Sequence, residues 1–150
     1  EISNPGHENG YKNFTKKQII SLSRLLKFLI KKYSINLKNI LGHSDISPHR
    51  KKDPGEKFPW KELANKRLAF WHPLNLKDIQ NFRKKKIDHS DEKKFFRNLN
   101  ILGYEKTNFT KYKKRKENLI KSFQRRYRQE LINGKLDQEC YFISKSLLKS

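Results

Sequence analysis

The sequence predicts an α/β fold: a mixed sheet flanked by helices, followed by a small all-α three-helix domain. Three observations carry this expectation. Glu1-Ile2-Ser3 reads as the end of a strand, and Lys38 to Gly42 as a second short strand built on Ile40 and Leu41. A strongly amphipathic helical repeat lies between them. From Ser90 onward, apolar residues recur at helical spacing in three short runs. The organisation expected is residues 1–72 as one domain, 73–89 as a polar, basic linker containing Lys84-Lys85-Lys86, and 90–150 as the second domain.

Asn4-Pro5-Gly6 and Asn9-Gly10 are turn signals. Thr15 followed by Gln18 is a capping box. The helix it opens carries Ile19, Leu22, Leu26, Leu29 and Tyr33 on one face, with Leu25 beside them. Lys16, Lys17, Lys27, Lys31 and Lys32 take solvated positions, so this helix faces a core. After the short strand comes a long loop with Pro48, Pro54, Gly55 and Pro59. Loops of this kind hold sites when a rigid scaffold supports them. Trp60 to Ala69 fits a short helix, and Trp71-His72-Pro73 closes the region. In the second domain Ser90 is an N-cap, Phe95, Leu99 and Leu102 face inward, and Gly103 is a stop. A second helix over roughly 117–131 turns Leu119, Ile120, Phe123, Tyr127 and Leu131 inward. Asp137 caps a third, with Cys140, Tyr141, Ile143 and Leu147 behind it.

Hydrophobic and charged residues each make up 34% of the 150, so the core is small and surface plentiful. The net charge of +21, from 36 Lys+Arg against 15 Asp+Glu, predicts attraction to polyanions. Nucleic acid is one such partner, and carboxylate-bearing wall polymers are another. The abundance of Lys, Asn, Ile and Phe is also what AT-rich coding writes regardless of function. Against a nucleic-acid binder, the lysines spread along the whole chain and the aromatics interleave as core, not as a stacking platform. Cys140 is the single cysteine, which rules out an internal disulfide. No run approaches the roughly 20 apolar residues of a membrane span. The first residue is Glu1, which leads us to expect further chain upstream and leaves export signals open.

The informative segment is Gly42-His43-Ser44-Asp45-Ile46-Ser47-Pro48-His49-Arg50-Lys51-Lys52-Asp53-Pro54-Gly55. It sets His43 at a strand end and Asp53 in the following loop. Zinc takes His nitrogen and carboxylate oxygen ligands, three from protein in catalytic sites. A loop of this length can fold back so that both face one ion. Lys51 precedes Asp53 by two residues, so an extended stretch aims both side chains the same way. A cation beside a metal suits a developing oxyanion.

From Gly42 to Trp60, including Phe58-Pro59-Trp60, the chain closely resembles the signature of the type 2 zinc-dependent N-acetylmuramoyl-L-alanine amidases. Glu1 to Tyr11, then Phe14-Thr15-Lys16-Lys17-Gln18, resemble the stretch that precedes it in that family. The resemblance covers about residues 1–72 and implies an amidase-type sheet truncated at its N-terminus. It also implies Zn2+ as cofactor, held by His43 and Asp53. Lys51 matches the lysine that stabilises charge on the scissile carbonyl. Glu1 matches the glutamate that assists the water and passes its proton to the leaving amine. The bond cut would join N-acetylmuramic acid to L-alanine in peptidoglycan or muropeptides. The family's first histidine ligand lies upstream of Glu1, so this chain alone is expected to bind zinc poorly and hydrolyse little. Ser47 and His49 depart slightly from the family pattern. His7, His72 and His89 are read as surface or packing residues, and Trp60 and Trp71 as packing.

The second domain is similar to the three-helix peptidoglycan-binding domain, through Leu102-Gly103-Tyr104, Phe123-Gln124 and Gly134-Lys135-Leu136-Asp137. Gln138-Glu139-Cys140 stands where that domain usually has a threonine. Gln124, Arg125 and Arg128 are candidate ligand contacts or simply a solvated face. The wall-binding resemblance points to the periplasm or cell envelope. A non-catalytic peptidoglycan binder is the alternative function, and a charge-driven nucleic-acid binder the second.

Overall fold

The capping box forms. Gln18 N–H donates to Thr15 Oγ1 at 3.2 Å, and Thr15 N–H donates to Gln18 Oε1 at 2.8 Å. It opens α1 (Lys16–Tyr33), which ends at Ser34 in the left-handed region, φ 51°. Lys31 and Lys32 sit in the last turn, against the negative end of the helix dipole. This arrangement comes from a computed structural model that describes residues 2–7, 10–106 and 113–149. Along α1 the contact row runs in steps of four, through Leu22, Leu26 and Ile30. These side chains pack on a first apolar cluster of Phe58, Trp60, Leu63, Leu68 and Ala69. Tyr33 falls beyond that row and is 61% exposed, not inward as its spacing suggested.

The mixed sheet is not there: among the described residues every regular element is a helix. The reason can be read locally. A strand needs a partner for its N–H and C=O groups, and among the described residues no partner strand lies beside either segment. The stretch read as a strand over 38–42 opens instead with a 3-10 turn, Leu37–Asn39, capped by the Asn36 side chain. Ile40 is extended (φ −86°, ψ 101°), but its carbonyl accepts from the Arg126 guanidinium at 2.8 Å. Likewise the Ser3 carbonyl accepts from the Gln18 amide at 2.7 Å.

Among the described residues six more α-helices follow: α2 (His43–Ile46), α3 (Trp60–Asn65), α4 (Leu76–Gln80), α5 (His89–Ile101), α6 (Lys113–Tyr127) and α7 (Gln138–Leu147). Within the stretch read as a linker, Asn75 caps α4 and Ile79 is buried. Asp88, not Ser90, caps α5, accepting from Asp91 N–H at 2.7 Å. α6 starts before residue 117 and ends at Tyr127, and Asp137 caps α7. Phe95, Leu99, Leu119, Phe123, Ile143 and Leu147 are fully buried at the centre of the second cluster. Leu74, Leu76, Ile79 and Ile87 join it from the 73–89 stretch. Trp71 packs against both clusters.

Beside this core lies a buried ionic cluster that periodicity did not reveal. Arg128 is 1% exposed and pairs with Asp137 and, at 3.3 Å, with Glu139. Arg83 reaches Glu139 from the other side at 2.7 Å. Gln124 is also buried; its carbonyl accepts Gly134 N–H at 2.9 Å and its amide donates to Lys135 O at 2.9 Å. Gln124 and Arg128 are therefore structural, and only Arg125, partly buried, keeps access to solvent.

Candidate active site

α2 is one turn long, and its first residue is His43. Ser44 N–H donates to Asp53 O at 2.9 Å, which folds the loop back onto the helix. That closure brings the predicted pair together: His43 Nδ1 is in hydrogen-bond contact with Asp53 Oδ2. Their side chains are 73% and 55% exposed, so the pair is open to an incoming group. A ring nitrogen facing a carboxylate oxygen fits two positions of the donor set that zinc takes. Among the described residues no group of three or more His, Cys, Asp or Glu is arranged to hold a metal.

Both residues line a cavity of about 870 Å3. Its floor is apolar, from Leu22, Leu26, Phe58, Trp60 and Leu63, and its rim includes Ser3, Asn4 and His7. Tyr11 fastens the loop beneath the pair. Its hydroxyl donates to Pro54 O at 2.7 Å and accepts from Lys57 N–H at 3.0 Å. Burial raises that hydroxyl's pKa, so it stays a donor. Gly55, φ 80°, lies so close that a Cβ would meet the Tyr11 hydroxyl at 2.5 Å. The intervening Asp53–Pro54 peptide is cis.

Lys51 is exposed on the same loop, and its N–H donates to Ser47 O at 3.0 Å. Glu1 lies outside the described residues. His49 pairs with Glu105 at 3.0 Å, and His7 with Glu56 at 3.0 Å. His72 is buried and stacked on Trp71, ring centroids 5.1 Å apart.

Sequence reasoning missed the residue that organises α2. Asp45 is 4% exposed; Oδ2 accepts Gly42 N–H at 2.9 Å and the Arg126 guanidinium at 2.5 Å, and Oδ1 accepts the Tyr104 hydroxyl at 3.0 Å. Burial, and the Asp45 carboxylate beside it, push the Tyr104 hydroxyl well above its usual range, keeping it a donor. The signal available in the sequence was an aspartate three residues after a glycine N-cap.

Residues 1–56 match the Amidase_2 family, N-acetylmuramoyl-L-alanine amidase. The N-acetylmuramoyl-L-alanine amidase AmiD of Escherichia coli (strain K12) is 32% identical over 139 residues, which are 91% of this chain and 49% of the relative. The 1,6-anhydro-N-acetylmuramyl-L-alanine amidase AmpD of Haemophilus influenzae is 47% identical over 53 residues, 35% of this chain and 29% of the relative. Among solved structures, E. coli AmiD in complex with the substrate anhydro-N-acetylmuramic acid-L-Ala-D-gamma-Glu-L-Lys superposes with a TM-score of 0.80 at 29% identity, over 93% of this chain and 54% of that one. AmpDh3 from Pseudomonas aeruginosa in complex with anhydromuramic pentapeptide gives 0.77 at 28% identity, over 93% and 55%. The chain spans about half the length of E. coli AmiD. These likenesses support the N-acetylmuramoyl-L-alanine amidase family for this chain, with the family match itself on residues 1–56.

Proposed function

We propose that the protein hydrolyses the amide bond between N-acetylmuramic acid and L-alanine in peptidoglycan or its fragments, with zinc as cofactor. The observation that carries this reading is the contact between His43 Nδ1 and Asp53 Oδ2 at the cavity, within the segment that matches Amidase_2. His43 would hold the metal through Nδ1 and Asp53 through a carboxylate oxygen. When bound, zinc supplies Lewis-acid polarisation of the amide carbonyl and activates water near neutral pH. The cavity beside the pair, about 870 Å3 with an apolar lining, has room for part of a muropeptide. Lys51 supplies positive charge to the carbonyl oxygen as it becomes an oxyanion. Glu1 takes the proton of the attacking water and returns it to the leaving amine.

Residues 90–150 are proposed as a wall-binding unit that raises the local concentration of substrate. Such a role fits the periplasm or envelope. Ligands of this kind are named for the amidase structures above, which were solved with anhydromuramyl peptides.

The test is zinc content and stem-peptide release by the full-length protein, beside an Asp53→Ala variant. One zinc per chain, with peptide released by the wild type and not by the variant, is expected. Retained wall binding with neither zinc nor release would replace the enzyme with a receptor.

A further inference from the structure

A single helical turn does not hold its shape by itself, because nucleation is unfavourable and few bonds are gained. α2 is such a turn, yet it carries His43, so its orientation must come from elsewhere. The bonds that fix it come from the far end of the chain. Ser122 Oγ donates to Ser44 O at 2.5 Å. Tyr104 Oη and the Arg126 guanidinium hold the two oxygens of Asp45, and Arg126 also holds the Ile40 carbonyl just before α2. The guanidinium lies over the Trp60 ring, 4.2 Å from its centroid. Tyr104, Ser122 and Arg126 are 7%, 0% and 2% exposed, so water cannot substitute for them.

We infer that Tyr104, Ser122 and Arg126 are positioning residues that hold His43 toward Asp53 through Ser44 and Asp45, making the C-terminal helices part of the site and not only a tether. The functional consequence rests on the reading of His43 and Asp53 as zinc ligands. A scaffold that fixes α2 before metal arrives leaves less to order on binding. Loosening α2 therefore weakens metal affinity without removing a ligand.

The experiment uses full-length protein with Ser122→Ala, Tyr104→Phe and, as a matched control, Ser144→Ala. Ser144 is also a buried hydroxyl, accepting from Asn98 Nδ2 at 3.0 Å between α5 and α7, but it does not touch α2. Amide hydrogen exchange is measured without added metal, and zinc affinity by chelator competition. The Ser44 and Asp45 amides, bonded to Asp53 O and Gly42 O, should exchange about tenfold faster in the first two variants. Their zinc Kd should rise about three- to tenfold, while the control stays near wild type in both. Unchanged exchange at Ser44 and Asp45, or an equal rise in the control, overturns the inference. Faster exchange in a protein whose wild type binds no zinc upholds the positioning and removes the ligand reading instead.

Discussion

His72 makes the fold acid-labile in a predictable window. It is 3% exposed, at the junction where Trp71 packs against both apolar clusters. Burial lowers its pKa from 6.5 to about 4, because a charged imidazolium there loses its hydration. The folded form therefore keeps His72 neutral, while the unfolded chain takes up a proton below pH 6.5. Between those two values the unfolded state binds more protons, so stability falls as the pH falls. Integrating from pH 7 to pH 5 gives a loss of about 2 kcal/mol, and about 3 kcal/mol once the pH passes below 4. Urea unfolding of the wild type and of His72→Phe, at pH 7 and pH 5, isolates the contribution, since the carboxylates titrate in both proteins. The phenyl ring can keep the stack on Trp71 but cannot take a proton. The wild type should lose about 2 kcal/mol more than the variant over this interval, on the order of a 1 M shift in midpoint. Equal pH dependence in the two proteins would refute the assignment of acid lability to His72.

Two further perturbations follow from close contacts. In Gly42→Ala the added Cβ would meet Pro54 Cδ at 2.5 Å and the Trp60 ring at 3.3 Å, so the turn before His43 must shift. We expect a loss of about 1–3 kcal/mol in thermal or urea unfolding; wild-type stability would mean that Pro54 yields freely. Arg128→Met leaves Asp137 without its buried cation and Glu139 with Arg83 alone. The expected loss is about 3–5 kcal/mol in the same measurement, and a change below about 1 kcal/mol would show that the cluster relaxes around the missing charge.

Much of this was legible in the sequence where local chemistry decides. The Thr15–Gln18 capping box, the Asp137 cap and the inward faces of α5 to α7 depend on neighbours a few residues apart, and the structure has them. The closure that brings His43 to Asp53 was also expected, from resemblance more than from spacing. The sheet was misread because Ile40 and Leu41 have strand propensity, and propensity says nothing about whether a partner strand lies alongside. Gln124, Arg126 and Arg128 were missed for a related reason. A polar or basic residue on a helix reads as solvated unless its acceptor is known, and here the acceptors lie 11, 81 and 9 residues away, at Lys135, Asp45 and Asp137.

The same pairing explains why net charge is a poor guide to partner. Asp45, Asp137 and Glu139 are buried against arginines, and Glu62, Asp91, Glu92 and Glu117 each hold a lysine at the surface. With so much of the acidic complement engaged locally, the excess of +21 remains as a field felt by any polyanion. Such a field speeds encounter and fades with salt, but it acts on substrate and transition state alike. Interactions that do not strengthen in the transition state leave the chemical step unchanged. Retention on nucleic acid or on wall polymer therefore follows from the lysines whatever the protein does. What would discriminate is the chemistry proposed for the His43–Asp53 pair, measured with the buried side chains proposed to hold α2 in place.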